Sequence, residues 1–235
     1  MNYSKRIVCL ACARRPSGRY VAGRELLENG YGGWIRPVSA RPSGEISLEE
    51  RRYESGMEPR ILDIIEIPMI AAVPHIHQTE NHMIDAAYYW TKKGVLAWTD
   101  LADLAERPVS LWGNGDSTHH GMNDRMNQTL ASHSANSILL IEPDSLNIQV
   151  RTEVGMLENP TRRVRADFWY QGTRYNFVIT DPVAEQVFLT LDADEHSLKD
   201  AYLCLSLSEP FKGDGYCYKL VESIIGRQTL GDLVL

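Results

Sequence analysis

The sequence has few cysteines, no long apolar run and no excess of positive charge. No window approaches the roughly 18 consecutive apolar residues of a membrane-crossing helix, and the apolar run near the N-terminus is too short for a signal peptide. The 4 cysteines are too sparse for the disulfide framework of a secreted protein of this length. We therefore expect a cytoplasmic protein with no membrane partner and no disulfide.

Familiar catalytic motifs are also missing. The chain contains no Walker loop, no Gly-x-Gly-x-x-Gly fingerprint, no Gly-x-Ser-x-Gly elbow and no His-Glu-x-x-His. Cys9 and Cys12 have the spacing of half a zinc or redox site, but residues three apart in a strand point to opposite faces, which favours burial as small apolar groups. We expect no cofactor, and an enzyme is the less favoured class of function.

The composition is that of an ordinary globular protein. The 235 residues are 43% hydrophobic and 23% charged, which excludes collagen, coiled coil and general disorder and allows one large domain or two small ones. The net charge of -7 hides an asymmetry, because residues 1–60 hold 11 Lys or Arg against 7 Glu and no Asp. Arginine outnumbers lysine by 18 to 6, which suits bidentate phosphate recognition or reflects genomic base composition. An acidic total argues against a strong nonspecific duplex binder and leaves room for a local basic groove.

Most of the apolar pattern has period two, which indicates β-strands. Strands are predicted at residues 6–13, 34–39, 62–69, 137–142, 146–152, 201–207 and 216–225. Short helices are predicted at residues 48–53, after a cap at Thr99 or Asp100, and after the N-cap Asp181 with Pro182 in the first turn. Pro37 cannot donate to a ladder, so its strand is expected to lie at an edge or to bend there.

The polar, glycine-containing stretch 113–136 predicts a loop or linker, and we place a domain boundary there. The resulting domains are residues 1–130, with an irregular insert rich in His and aromatics at 74–97, and residues 131–235. Each half then holds about five strands and one capping helix. The predicted fold class is mainly β, with two OB-like Greek-key barrels in tandem, because the OB barrel is one solution for this set of elements.

The clearest local prediction is a hairpin at residues 163–180 around the two-residue turn Gln171-Gly172. Tyr170 then pairs with Thr173, and the side chains alternate between two faces. The core face carries Val164, Ala166, Phe168, Tyr175, Phe177 and Ile179. The opposite face, expected to be exposed, carries Arg163, Arg165, Asp167, Trp169, Arg174 and Asn176.

This exposed face is the first candidate site. Arginines beside an exposed aromatic ring suit single-stranded nucleic acid, because guanidinium groups bind phosphate and a ring stacks on a base for roughly 1–3 kcal/mol. The residues concerned are Arg163, Arg165, Trp169 and Arg174. The alternative is that Trp169 packs against the other half of the chain and that the arginines form a solvated face with Asp167.

A second candidate site lies in the basic front half. Tyr20, Tyr31 and Trp34 alternate there with six arginines near predicted turns and strand ends, namely Arg14, Arg15, Arg19, Arg24, Arg36 and Arg41. Basic and aromatic residues in such a mixture are typical of nucleic-acid surfaces. The alternative is that Trp34 belongs to the core and that the nearby glycines only form turns.

Residues 74–85 hold the densest set of metal-ligating side chains. His75 and His77 would share one face of a strand, and Glu80, His82 or Asp85 could complete a divalent-metal or acid–base site. No standard zinc signature has this spacing, and histidines that bond to the main chain are the alternative.

Six short motifs extend over nearly the whole chain. They are residues 18–23 (Gly-Arg-Tyr-Val-Ala-Gly), 32–39 (Gly-Gly-Trp-Ile-Arg-Pro-Val-Ser), 77–81 (His-Gln-Thr-Glu-Asn), 123–125 (Asn-Asp-Arg), 208–211 (Ser-Glu-Pro-Phe) and 215–221 (Gly-Tyr-Cys-Tyr-Lys-Leu-Val). Together they resemble the prokaryotic dual OB-containing domain family, and residues 32–39 are the most specific of them. The resemblance implies two OB-like barrels that bind nucleic acid, often in bacterial antiphage defence, and it supplies no catalytic residue. By motif position it implies a shared site lined by Arg19, Trp34, Arg36, Gln78, Glu80, Asn81 and Arg125.

We therefore predict a nucleic-acid or nucleotide-binding module that serves as a sensor or recruiting subunit of a bacterial defence system. In it, Arg19 and Arg36 would contact phosphate, and Trp34 or Trp169 would stack. Two alternatives stay open. The first is a protein-docking adaptor that binds a defence effector. The acidic second half of the chain departs from the pattern of a simple nucleic-acid sleeve and could serve as the docking surface. The second is a metal-dependent hydrolase or nuclease that uses the histidine-rich residues 75–82.

Overall fold

The computed structural model describes residues 2–154 and 159–227, and the chain divides into two compact units. The first unit comprises Met1–Leu104 and Ala135–Ser137, and the second comprises Ala105–Ser134 and Ile138–Leu235. This division lies earlier in the chain than the boundary predicted near residue 130. The reason is that residues 105–134 bond to strands of the second unit, beginning with the Glu106 amide, which donates to the Leu140 carbonyl at 2.7 Å.

The first unit is built from six strands and two short helices. Its strands are β1 (Tyr3–Arg15), β2 (Gly18–Leu27), β3 (Gly30–Val38), β4 (Asp63–Ala72), β5 (Asn81–Ile84) and β6 (Thr91–Val95). Helix α1 (Leu48–Arg51) lies between β3 and β4, and a 3-10 helix (Trp98–Asp103) follows β6.

The strand order of the first unit is that of an OB barrel. The order is β1-β2-β3-β5-β4, and β1 also pairs with β4, so that the five strands close into a ring to which β6 is added. The β3–β5 pair is parallel, whereas β1 pairs antiparallel with both of its neighbours. Ile7, Val21, Ile35, Ile65 and Ile67 are among the buried residues of its core. Burial of such side chains, at about 25 cal/mol per Å² of apolar surface, is the main stabilising contribution.

The second unit contains eight strands and two helices among its described residues. The strands are β7 (Arg125–Asn127), β8 (Ile138–Ile141), β9 (Ser145–Glu153), β10 (Thr161–Tyr170), β11 (Thr173–Ile179), β12 (Glu195–Leu198), β13 (Ala201–Leu207) and β14 (Tyr216–Gly226). The helices are α2 (Gln128–Ala131) and α3 (Pro182–Thr190).

The second unit repeats the OB strand order with a divided fourth strand. The sheet runs β12-β9-β10-β11-β14-β13-β8, and β7 pairs with β14. Because β12 continues into β13 after two residues, β12 closes the barrel on β9 while β13 pairs with β14. The β11–β14 pair is parallel, as β3–β5 is in the first unit. The prediction of a mainly β protein with two OB-like barrels is confirmed.

The predicted hairpin is confirmed pair by pair as β10 and β11. Tyr170 pairs with Thr173, and the register continues to Arg165 opposite Val178. Gln171 and Gly172 have φ values of 50° and 72°, the left-handed conformation that a two-residue type I′ turn requires. All six predicted core-face residues are buried. The capped start of α3 is also confirmed, because the Asp181 carboxylate accepts hydrogen bonds from the Val183 and Ala184 amides at 2.9 and 3.3 Å.

Some local predictions were incomplete or wrong. Strands β2, β5, β6, β7 and β12 were not predicted, and the expected side-chain cap at Thr99 or Asp100 is absent, because the 3-10 helix begins after Ala97 without a side-chain cap. Strand β2 was missed because Gly23 interrupts its apolar pattern. A Cβ at this position would lie 2.1 Å from the Val8 carbonyl oxygen, so the close packing of β1 requires a glycine here.

Pro37 is not on an edge strand, since β3 lies between β2 and β5. The β2–β3 register ends at Ile35, so Pro37 pairs only with His82 of β5 and no ladder bond to β2 is lost. All four cysteines are free thiols, and three of them are buried. Among the described residues, no helix is long and apolar enough to cross a membrane.

Candidate nucleic-acid interface

The outer face of β9, β10 and β11 carries an exposed tryptophan at the hairpin tip. The Trp169 side chain is 48% exposed, although large aromatic rings are mostly buried in folded proteins. It lies on β10 directly opposite Arg174 of β11 and Ser145 of β9. The Arg174 guanidinium donates two hydrogen bonds to the Asp167 carboxylate, at 2.9 and 2.7 Å, which hold it beside the ring and raise its pKa.

Two arginines face each other at the other end of this surface. Arg163 of β10 is paired with Arg151 of β9, and both are exposed. Neither forms an ion pair with any of the described residues. Like charges directly opposite each other destabilise a sheet, so the pair provides positive charge that no carboxylate of the described residues neutralises. Trp169 lies six positions after Arg163 along β10, a distance of about 20 Å.

The centre of the same face is buried, which corrects the expectation for Arg165. Arg165 is 3% exposed, and its guanidinium lies 2.5 Å from the Glu153 carboxylate and 3.6 Å from that of Asp124. Asp167 and Asn176 are also buried. The expected exposure was wrong because residues 122–124, distant in sequence, lie against β11, where Met122 forms a bridge with Asn176.

The beginning of β14 adds aromatic residues, Tyr216 and Tyr218, beside this face. The Arg125 guanidinium lies 4.2 Å from the centre of the Tyr216 ring, and its Nη1 is 3.6 Å from the Asp214 carboxylate. The Tyr218 hydroxyl donates to Asp214 at 2.5 Å. Burial by itself would raise the pKa of Asp214, but the bonds from Tyr218 and the Tyr216 amide, with the charge of Arg125, bring it below its usual value.

A groove of about 550 Å³ runs along the loop between β13 and β14. It is lined by Ser208, Glu209, Pro210, Phe211, Lys212, Tyr218 and Leu220. The Phe211 ring is 59% exposed and meets the Tyr218 ring edge-on at 6.2 Å between centres. The residue patterns of the sequence pointed to neither Phe211 nor the tyrosines as candidates, although two of the six motifs contain them.

In the first unit, the motif residues meet in a buried polar cluster. Arg36 Nη2 lies 2.6 Å from Glu80 Oε1 and donates to Ser137 Oγ at 2.6 Å, while Ser137 in turn donates to Glu80. Asn81 Nδ2 contacts Gln78 Oε1 at 3.5 Å. All five residues are less than 10% exposed. This structure therefore offers none of them as a surface contact for a long polymer.

Two candidate aromatic residues of the first unit, Tyr20 and Trp34, lie against arginine side chains. The guanidinium carbons of Arg15 and Arg36 each lie 4.9 Å from the centre of the Tyr20 ring, and that of Arg24 lies 5.7 Å from the Trp34 ring. Trp34 is only 8% exposed, so it has no open ring face. Arg19 lies opposite Arg14 at the β1–β2 turn and is half-buried.

The side chains of the histidine-rich segment point to different surroundings. Residues 75–78 form a turn, closed by mutual backbone bonds between His75 and Gln78, so His75 and His77 do not share a strand face as expected. His77 is buried, whereas His75 is exposed. His82 Nδ1 lies 2.6 Å from the Tyr3 hydroxyl, and burial lowers its pKa. Within the described residues, no three His, Cys, Asp or Glu side chains are placed to hold a metal ion.

Comparison with known families agrees with the two barrels. The family model described as the dual OB-containing domain matches residues 5–224. This match covers most of the chain, so the protein belongs to the dual OB-containing domain family. No curated protein matches it.

Two solved structures resemble the chain at low identity. One is a chain of a replication protein A heterotrimer bound to single-stranded DNA, with 12% identity and a TM-score of 0.38 over 100% of this chain and 51% of that one. The other is a murine DNA-binding protein bound with double-stranded DNA, with 6% identity and a TM-score of 0.28 over 96% and 99% of the two chains. The chain thus spans about half the length of the replication protein A chain. At these TM-scores neither resemblance supports a functional argument.

Proposed function

We propose that this protein binds single-stranded nucleic acid on the outer face of β9, β10 and β11. Exposed Trp169 is the observation that carries the proposal. It stands on the second strand of an OB barrel, next to the third, and these two strands form the face that OB barrels use for oligonucleotides. A planar apolar ring open to solvent suits base stacking, which tolerates any sequence because every base has a π-face.

Phosphate contacts come from the arginines on the same face. Arg151 and Arg163 are exposed and have no carboxylate partner among the described residues, so both guanidinium groups are accessible to a phosphate. Arg174 is already bonded to Asp167 and contributes less free charge. Arg163 and Trp169 are about 20 Å apart along β10, which leaves room for several nucleotides.

The β13–β14 loop extends this surface across the strands. Leu220 of β14 pairs with Val178 of β11, which in turn pairs with Arg165 of β10. The groove beside Phe211 therefore lies two strands away from β10, the strand that carries Arg163. Phe211 presents a second open ring, and Lys212 also lines the groove. A duplex keeps its bases stacked internally and gains nothing from such rings, so the surface favours single strands.

The buried residues of the first unit are not part of the proposed interface. Trp34, Arg36, Gln78, Glu80 and Asn81 are less than 10% exposed, so contact with a polymer would require the first unit to open. The proposal also includes a role as a sensor or recruiting subunit in bacterial defence. It rests on the family resemblance alone.

Fluorescence anisotropy with labelled single-stranded DNA, single-stranded RNA and duplex DNA tests the proposal. We expect wild type to bind the single strands more tightly than the duplex at low salt. Trp169→Ala should weaken single-strand binding by roughly tenfold to a hundredfold, the cost of one stacked base. Tyr88→Ala is the matched control, because Tyr88 is an aromatic residue of the first unit that is 63% exposed.

Two results would overturn the proposal. One is a wild type that binds none of the probes at low salt. The other is equal affinity of Trp169→Ala and Tyr88→Ala, with both variants folded by circular dichroism. Truncating an exposed ring removes few core contacts, so loss of fold is not expected from either variant.

A further inference from the structure

The exposed ring of Phe211 is held in one place by the loop between β13 and β14. The Phe211 amide donates to the Tyr216 carbonyl at 2.8 Å, and the Phe211 carbonyl accepts from the Gly215 amide at 2.8 Å. The Tyr218 ring meets the Phe211 ring edge-on at 6.2 Å between centres. Gly213 lies so close that a Cβ there would stand 2.6 Å from Phe211 Cε1. The ring is therefore positioned by its neighbours, while 59% of the residue stays exposed.

Phe211 and Trp169 lie at the same end of the second barrel's outer face. Strand β11 begins at the hairpin tip that carries Trp169, and β14 runs parallel with β11, with Leu220 beside Val178. The loop of Phe211 leads into the beginning of β14, which therefore lies at this same end. Residues 122–127 bond to both β11 and β14 there and fill the gap between them. Strands β10 and β14 are thus three strand spacings apart, or about 15 Å.

The groove beside Phe211 suits one nucleobase. Its volume of about 550 Å³ lies within the range of roughly 300–1,000 Å³ that is usual for small-molecule sites. Pro210, Phe211 and Leu220 give it apolar walls. Among its described lining residues Glu209 is the one acid and Lys212 the one cation, so the groove has no net charge. An apolar groove without net charge suits a flat uncharged ring rather than a phosphate.

We propose that this groove is a preformed subsite for one base of the bound strand, which stacks on Phe211 while another base stacks on Trp169. This inference rests on the proposed function and adds a second, fixed point of contact. Because the ring is already in place, little side-chain freedom is lost when a base arrives. A strand of roughly 4–16 nucleotides, the usual site size of an OB barrel, is long enough to reach both rings.

Three variants test the ring and its position. Phe211→Leu keeps an apolar side chain without a flat ring, and should weaken binding of a labelled oligothymidylate of about 16 nucleotides by roughly tenfold to a hundredfold. Phe211→Tyr keeps the ring and should retain affinity. Gly213→Ala keeps the ring but displaces it, and should weaken binding by roughly threefold to tenfold. Val183→Ala is the control, because Val183 is an exposed apolar residue on α3, a helix that packs on the core.

Crosslinking supplies a measurement that a purely structural role would not change. An oligonucleotide carrying 5-iodouracil, irradiated on the wild-type protein, should form crosslinks both at the hairpin tip and in residues 208–220, as mapped by mass spectrometry. Phe211→Leu is expected to fold, because truncating an exposed ring removes few core contacts, and circular dichroism checks this.

The outcomes separate this inference from the proposed function. Equal affinity of Phe211→Leu and Val183→Ala, or crosslinks confined to the hairpin tip, would overturn the subsite. Binding that still depends on Trp169 leaves the proposed function standing in that case. Unchanged affinity in Gly213→Ala would overturn the preformed position of the ring. If the wild type binds no single strand, both proposals fall.

Discussion

Arg151 and Arg163 lie directly opposite each other on β9 and β10, both exposed and neither ion-paired within the described residues. Their mutual repulsion should lower the stability of the fold, and the same positive charge should attract an anionic ligand. Arg163→Glu turns the pair into an attractive one, so the free energy of unfolding should rise by about 0.2–1 kcal/mol. Binding of single-stranded nucleic acid should weaken at the same time. Urea denaturation and anisotropy measure the two effects.

Charge reversal on both strands is the control for this pair. Arg151→Glu should behave as Arg163→Glu does, whereas the double variant restores like charges and should lose the stability gain. Binding should be weakest in the double variant. A stability gain without any loss of binding in the single variants would show that this end of the face does not contact the ligand.

Salt dependence distinguishes phosphate contacts from stacking. The logarithm of the binding constant should fall linearly with the logarithm of salt concentration, by about 0.7 for each phosphate contact with a single strand. Arg163→Gln should reduce the slope by about that amount, whereas Trp169→Ala should weaken binding with the slope nearly unchanged. Anisotropy titrations between low and moderate salt give both slopes. Equal slopes in wild type and Arg163→Gln would exclude a phosphate contact there.

Local pattern was sufficient to predict the hairpin of β10 and β11. Its register depends on a two-residue turn and on alternating apolar residues, which are all contained in 18 consecutive residues. The same pattern gave the wrong exposure for Arg165. Its burial depends on Asp124 and on Glu153, which reach it through the tertiary fold and carry no periodic pattern of their own.

The candidate site of the first unit shows the same limit. The resemblance named Arg36, Gln78, Glu80 and Asn81 together, and the structure brings them together because β3 and β5 are parallel neighbours. Sequence alone did not predict that they are buried. Ser137 completes the cluster from a stretch that returns to the first unit after a long excursion through the second, and no local pattern marks that return.

The Arg36–Glu80 pair should be necessary for stability rather than for contact with the ligand. Removing one partner leaves an uncompensated buried charge, which costs about 3–5 kcal/mol in comparable cases. Glu80→Leu or Arg36→Met should therefore destabilise strongly, while the double variant should recover part of the loss. Guanidinium denaturation of the four proteins measures the coupling. Additive losses would show that the two side chains do not act as a pair.

Lys219 gives a pH-dependent prediction for the second barrel. It is 1% exposed, and burial lowers its pKa to about 8, with Asp124 and Asp116 opposing the change. The unfolded lysine has a pKa of about 10.4. Between these two values the unfolded chain holds a proton that the folded chain has lost, so the contribution of Lys219 to stability rises with pH.

The comparison with Lys219→Met isolates this effect, because all other titrating groups are common to both proteins. Below about pH 8 the difference in unfolding free energy between wild type and variant should stay constant. Between about pH 8 and about pH 10 the unfolding free energy of wild type should increase relative to that of the variant, by up to about 1.4 kcal/mol per pH unit. Urea denaturation at half-unit pH intervals measures the shift, and exposed Lys199→Met should run parallel to wild type. If the Lys219→Met curve also runs parallel across this range, the ammonium group is not desolvated as the structure indicates.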